Sequence, residues 1–102
     1  MRYAVEFSST ARQQLAAIEE YISASADTDT AERYVRGIVD YCRGLATFPH
    51  RGARRDDLGR CLRVIGYRKR VAVIFGVDDD AQVVTIVGVF YGGQDYESAL
   101  AD

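Results

Sequence analysis

Val71-Ala72-Val73-Ile74-Phe75-Gly76-Val77, then Asp78-Asp79-Asp80, then Gln82-Val83-Val84-Thr85-Ile86-Val87-Gly88-Val89-Phe90, is the stretch on which the architecture turns. Val71, Val73 and Phe75 alternate with Ala72, Ile74 and Gly76, a period of two that predicts a strand from Arg70 to Val77. Both of its faces are mostly apolar, which places it at the centre of a sheet. Three successive aspartates signal a hairpin turn. Beyond them the β-branched Val83, Val84, Ile86, Val87 and Val89 predict a returning strand over residues 82–90. Upstream, residues 61–67, from Cys61 to Tyr67, predict a shorter strand. Three consecutive strands with short turns form an antiparallel meander.

Towards the N-terminus, Pro49-His50-Arg51-Gly52 opens a polar loop that runs to about Arg60. Before it, Ala31, Tyr34, Val35, Ile38, Cys42, Leu45 and Phe48 recur at spacings of three and four, predicting a helix over 30–48 that ends ahead of Pro49. Asp29 and Glu32 suit its positive N-terminus. Ala11, Leu15, Ile18 and Ile22 make the stripe of an earlier helix. Ser8, Ser9 and Thr10 all offer caps for it, and Thr10 with Gln13 fits a capping box. This helix should fade in Ser23-Ala24-Ser25-Ala26. Tyr3, Val5 and Phe7 alternate with polar or small residues and predict a strand over 3–7, while Tyr91 to Tyr96 read as a loop leading into a short tail helix. The expected fold is α+β in the order β-αα-βββ. It has an antiparallel sheet and an N-terminal αα-hairpin laying its apolar stripes on one face.

The chain has 102 residues, 48% of them hydrophobic and 11% aromatic, so residues 1–102 are expected to form one domain with one modest core. No stretch approaches a membrane span. The N-terminal residues lack the apolar run of a signal peptide, so a cytoplasmic protein is expected. Two cysteines and one histidine are too few for a disulfide framework or a four-ligand metal site, and no phosphate-binding glycine motif is present. We expect no cofactor and no metal. Cys42 sits on the apolar stripe of a helix and is expected to pack; Cys61 has no partner that would give it chemistry. Gly92-Gly93 reads as a flexible turn.

Charge is unevenly distributed. Residues 51–70 hold eight bases (Arg51, Arg54, Arg55, Arg60, Arg63, Arg68, Lys69, Arg70) and two acids, whereas the other 82 residues hold five bases and 13 acids. Twelve of the 13 bases are arginine, the side chain suited to bidentate contact with carboxylate and phosphate. Such a segment is either a solvated loop or a site for an anionic partner.

At this point the sequence resembles the RelE/ParE superfamily of type II toxins, and the ParE branch most. Tyr3-Ala4-Val5-Glu6-Phe7-Ser8 with Ala11 and Leu15 looks like the family's opening strand and helix. Thr30-Ala31-Glu32-Arg33-Tyr34 resembles the start of its second helix, and Phe48-Pro49-His50-Arg51-Gly52 its turn. Arg55-Asp56-Asp57-Leu58 and Ile74-Phe75-Gly76-Val77-Asp78 follow in matching order. The family's closing H-G-x-R-D-like segment corresponds here to Tyr91-Gly92-Gly93-Gln94-Asp95. The RNA-cleaving branch carries a catalytic arginine in the central strand and another after the last strand. The matching positions are Ala72 and Gln94, neither of them a cation.

The resemblance implies a bacterial plasmid-stabilization toxin that acts by binding, with DNA gyrase as target and no catalytic residue. The alternatives are a ribosome-dependent mRNA endonuclease, or a non-toxic module that only binds an antitoxin. All three imply a small antitoxin whose disordered C-terminal segment folds on this chain. Arginine and tyrosine dominate interface hot spots. The expected target- or antitoxin-binding surface is therefore Arg51, Arg54, Arg55, Arg60, Arg63, Arg68, Arg70, Tyr91, Gln94, Asp95 and Tyr96. The expected antitoxin groove is Ile18, Tyr21, Ile22, Tyr34 and Tyr41. His50 reads as a solvated loop residue.

Overall fold

In the computed structural model, which describes residues 2–92, the alternating and helical periods become β1 (Ala4–Phe7), α1 (Ser9–Ser25), α2 (Thr28–Arg43), a 3-10 turn (Gly44–Ala46), β2 (Ala53–Arg54), β3 (Leu62–Tyr67), β4 (Val71–Asp78) and β5 (Val83–Tyr91). The order is the expected α+β one, with a two-residue strand, β2, inside the polar loop. The sheet runs β1-β5-β4-β3-β2, so β4 is central as its two apolar faces require. β2 to β5 pair antiparallel, but β1 lies parallel to β5, Val5 against Val84 and Phe7 against Ile86. The sheet is therefore mixed. The direction of β1 is set by how the helical hairpin carries the chain across the sheet, a non-local matter that no local pattern records.

The core lies between the hairpin and one face of the sheet. Ala11, Leu15, Ile18 and Ile22 of α1 and Ala31, Ile38 and Cys42 of α2 meet Val71, Val73, Phe75, Val84, Ile86 and Val89. These are the stripe positions the spacing predicts. Burial pushes the Cys42 thiol up to about 12, which suits a packing role.

Helix boundaries follow their caps. The Ser8 hydroxyl accepts from the Ala11 N–H at 3.0 Å and donates to the Val87 carbonyl at 3.2 Å, so α1 starts two residues before the Thr10 capping box would start it. It also outlasts Ser23, because the Ser25 hydroxyl donates to the Tyr21 carbonyl at 3.0 Å and satisfies a C-terminal acceptor. Asp27 caps α2, accepting from the Thr30 N–H at 2.7 Å and the Thr30 hydroxyl at 3.0 Å. That helix begins at Thr28 and tightens into the 3-10 turn well before Pro49.

The register of β4 on β5 shifts between Ile74, opposite Gly88, and Phe75, opposite Ile86, leaving Val87 as the extra residue of a bulge. Side chains of the N-terminal half of the hairpin satisfy the irregular backbone. Gln14 Oε1 accepts from the Val89 N–H at 2.6 Å, beside the Ser8 bond to Val87. Polar groups thus fix α1 over the end of β5 where the candidate site begins. Among the described residues no helix is long and apolar enough to cross a membrane.

Candidate functional site

The arginine run does not form one surface. Strand β3 divides it, and at ~3.3 Å per residue the two ends of that strand stand about 17 Å apart. Arg51, Arg54, Arg55, Arg60 and Arg63 lie at one end, and Arg68, Lys69 and Arg70 form the β3–β4 turn at the other.

At the first end carboxylates match two of the five arginines, and carbonyls and a ring engage two more. Arg54 pairs with Asp56 at 2.9 Å, and Arg55 grips Asp57 through two bonds of 2.9 and 2.8 Å. Arg63 donates to the His50 carbonyl at 3.1 Å, Arg51 lies 5.1 Å over the Phe48 ring, and Arg60 is exposed in the turn before β3. His50, although exposed, is not merely solvated. Its Nε2 lies 2.8 Å from Asp79 Oδ1, which also accepts from the Tyr3 hydroxyl at 2.7 Å, so the Pro49 loop, the β4–β5 turn and the first strand are tied together. His50, Arg54, Cys61, Arg63 and Asp79 line a cavity of about 140 Å³ there. A carboxylate-oriented imidazole beside a thiol would suit nucleophilic chemistry if the two were bonded. Among the described residues no hydrogen bond joins Cys61 to His50, and no group of three His, Cys, Asp or Glu could hold a metal.

These contacts set an acid limit. Hydrogen bonds from Tyr3 and then His50 hold the Asp79 carboxyl below its ordinary range; those from Thr30 do so for Asp27, and that from Arg55 for Asp57. The folded chain binds these protons less readily than the unfolded one. Their stabilisation is therefore complete above the unfolded carboxylate value, about 3.9, and is lost as pH falls through the lower folded values. A urea midpoint flat from neutrality to about pH 5 and falling below about pH 4 is expected, and in Asp79→Asn the acid fall should be shallower.

The second end is different. Arg68 and Lys69 both take left-handed backbone, φ +52° and +62°, in a turn that asparagine and glycine would make without strain. Among the described residues none of Arg68, Lys69 and Arg70 has a carboxylate partner. The Arg68 guanidinium lies 5.4 Å over the Tyr67 ring. From there five tyrosines run across the hairpin and sheet. Tyr41 and Tyr67 stand 5.0 Å apart, Tyr67 and Tyr34 6.2 Å, Tyr34 and Tyr91 5.8 Å, and Tyr91 and Tyr21 5.9 Å. Tyr21, at the outer end, is 62% exposed. A cleft of about 360 Å³ between α1 and β5 is lined by Gln14, Ala17, Tyr21, Arg70 and Tyr91. A second, about 310 Å³, is lined by Arg33, Tyr34, Gly37, Tyr67 and Arg68. Burial raises the Tyr34 phenol, whose hydroxyl is buried without a hydrogen-bond partner among the described residues.

The structure thus brings together Tyr21, Tyr34, Tyr41, Tyr91, Arg68 and Arg70, residues the sequence assigned to separate groups. Ile18 and Ile22 are 5% and 8% exposed and serve the core, Ile18 also lining the first cleft. Tyr41 donates to the Gly66 carbonyl at 3.0 Å. Tyr67, which the strand pattern marks only as the end of a strand, is central. Its signal was its alternation with Ile65 on one face, ahead of Arg68-Lys69-Arg70. Ala72 is half-buried on β4 opposite Phe90. Gln94, Asp95, Tyr96 and the expected tail helix lie outside the described residues.

The family model described as the ParE toxin of the type II toxin–antitoxin system parDE matches residues 5–96. No curated protein matches in sequence. Among solved structures, the chromosomal ParDE system from P. aeruginosa superposes with a TM-score of 0.76 at 17% identity, covering 89% of this chain and 97% of that one. The RelBE2 toxin–antitoxin complex from Mycobacterium tuberculosis gives 0.69 at 22% identity, covering 92% and 95%. A free mutant of the E. coli toxin RelE gives 0.61 at 15%, covering 99% and 95%. At these identities the likeness to the solved structures is one of fold.

Proposed function

Since the chain belongs to the ParE toxin family of type II toxin–antitoxin systems, we propose that it arrests growth by binding DNA gyrase on cleaved DNA and is neutralised by a cognate antitoxin. The observation that carries this reading is the match of the ParE family model over residues 5–96. Ala72 supports it. RNA cleavage through a 2′-hydroxyl needs a cation for the developing phosphate charge, and Ala72, the central-strand position that the resemblance matches to the RNA-cleaving branch's arginine, offers only a methyl group. The solved ParDE and RelBE2 relatives are toxin–antitoxin systems, which supports an antitoxin as partner. We assign target and antitoxin binding chiefly to the tyrosine row and the Arg68–Arg70 turn. The other arginines are mostly occupied by Asp56, Asp57 and backbone carbonyls.

Expression of the chain alone is expected to stop growth with a DNA-damage response, and co-expression of the neighbouring reading frame to restore it. Arrest without that response, accompanied by mRNA cut on stalled ribosomes, would favour the endonuclease. Benign expression would leave only an antitoxin-binding module.

A further inference from the structure

We propose that the tyrosine row and the Arg68-Lys69-Arg70 turn form a binding platform for an unpaired nucleic-acid strand. This is the patch to which target and antitoxin binding are assigned above, and the proposal deepens that reading; strand binding itself requires only the folded chain. Proteins that hold single strands without reading sequence combine a cationic track for the backbone with aromatic rings on which bases stack. Both parts are present within one patch. Three adjacent cations lack a carboxylate partner among the described residues, although the chain as a whole is acidic at −2. Arg70 lines the cleft with Tyr21 and Tyr91, and Arg68 and Arg33 line the second cleft with Tyr34 and Tyr67. Each of the two clefts along the aromatic row thus carries at least one guanidinium.

The exposed ring favours a nucleic-acid strand over an acidic peptide, and two further features support an anion-binding patch here. The exposed ring at the outer end, Tyr21, packs on Tyr91 with one side and leaves most of its surface to solvent. A peptide carboxylate needs only the cations and gains nothing from that ring, whereas a base has a π-face to set on it. The second is the turn itself. Two non-glycine residues in left-handed backbone cost stability in a hairpin, and the cationic side chains so presented are its evident return. Third, the Tyr34 hydroxyl has no acceptor among the described residues and lies beside the cationic second cleft.

The test is fluorescence anisotropy of a labelled oligothymidylate titrated with the purified chain, without gyrase or antitoxin, so that its outcome is independent of the proposed target. Wild type should bind at low salt. Log K should fall with log salt at a slope of about −2, three cations at about −0.7 each. Tyr21→Ala should weaken binding roughly five- to a hundredfold, the range of one base stack, and Tyr21→Phe should retain it. The Arg68→Glu, Arg70→Glu double variant should abolish it, while Arg54→Glu, at the other end of β3, should leave it unchanged. Circular dichroism confirms that each variant is folded, and Tyr21 is exposed enough for its substitutions to spare the core. The proposal is overturned by no binding at low salt, by Tyr21→Ala binding like wild type, or by Arg54→Glu losing as much as the turn variant. Equal affinity for an oligoglutamate peptide, or for a duplex of the same length, would overturn it as well.

Discussion

Phe75→Ala should leave a large share of the protein unfolded under conditions where the native chain is fully folded. Phe75 is 0% exposed, at the middle of the central strand, paired across to Ile86 and Arg63 and facing the helical hairpin. Truncating a buried phenylalanine removes its transfer free energy and leaves a cavity, together about 3–5 kcal/mol. A domain of this size has only about 5–15 kcal/mol in all. The urea midpoint should fall by about a fifth or more, with the slope of the transition unchanged. Phe48→Ala is the counterpart. At 59% exposed it loses the contact with Arg51 and little buried surface, and its midpoint should move little. Equal shifts for the two would mean that the core does not lie between hairpin and sheet.

Gly52→Val should be the most damaging change outside the core. Gly52 has φ +76°, and the Val64 carbonyl oxygen stands where a β-carbon would go, with the Val64 carbonyl carbon 3.1 Å and the Ile65 Cβ 3.2 Å from that point. Left-handed backbone in a β-branched residue costs of order 1–3 kcal/mol before any clash. The obstructing atom belongs to the backbone of β3, so no rotamer relieves it. β2 must leave β3, and with it the Arg63 bonds to the His50 and Arg51 carbonyls. Amide exchange should accelerate at Arg55, which donates to Leu62, along with the fall in midpoint. Gly44→Ala is the control. That residue has helical φ and nothing within 4 Å of an added β-carbon, and the change should be neutral or slightly stabilising. A stable Gly52→Val with unchanged exchange would show that the β2–β3 edge is not held as described.

Those two residues mark the limits of what the sequence shows. Phe75 was legible because the period of two in Val71, Val73 and Phe75 is local and repeats. The helical stripes were legible for the same reason, down to Cys42. Cap choice was harder. Ser8, Ser9 and Thr10 are chemically equivalent candidates, and the Val87 carbonyl of a distant strand favours Ser8. β2 was invisible because two residues carry no period, and the parallel run of β1 because it pairs with residues nearly eighty positions away. The site was legible in its residue types and not in its grouping. Arg51 to Arg70 is contiguous in sequence, yet the length of β3 separates its two halves. Conversely, Tyr21, Tyr34, Tyr67 and Tyr91 come from four elements and meet only when the hairpin lies on the sheet.

The central claim is that this family member acts by occupying a macromolecular target through an aromatic and cationic patch. The most direct measurement adds purified chain to gyrase, relaxed plasmid and ATP and follows supercoiling together with cleaved DNA, in parallel with translating ribosomes on which mRNA ends are mapped. Loss of supercoiling with accumulation of cleaved plasmid, both reversed by Arg68→Glu with Arg70→Glu, and intact mRNA is the predicted result. Undisturbed supercoiling at a concentration that cuts ribosome-bound mRNA would contradict it.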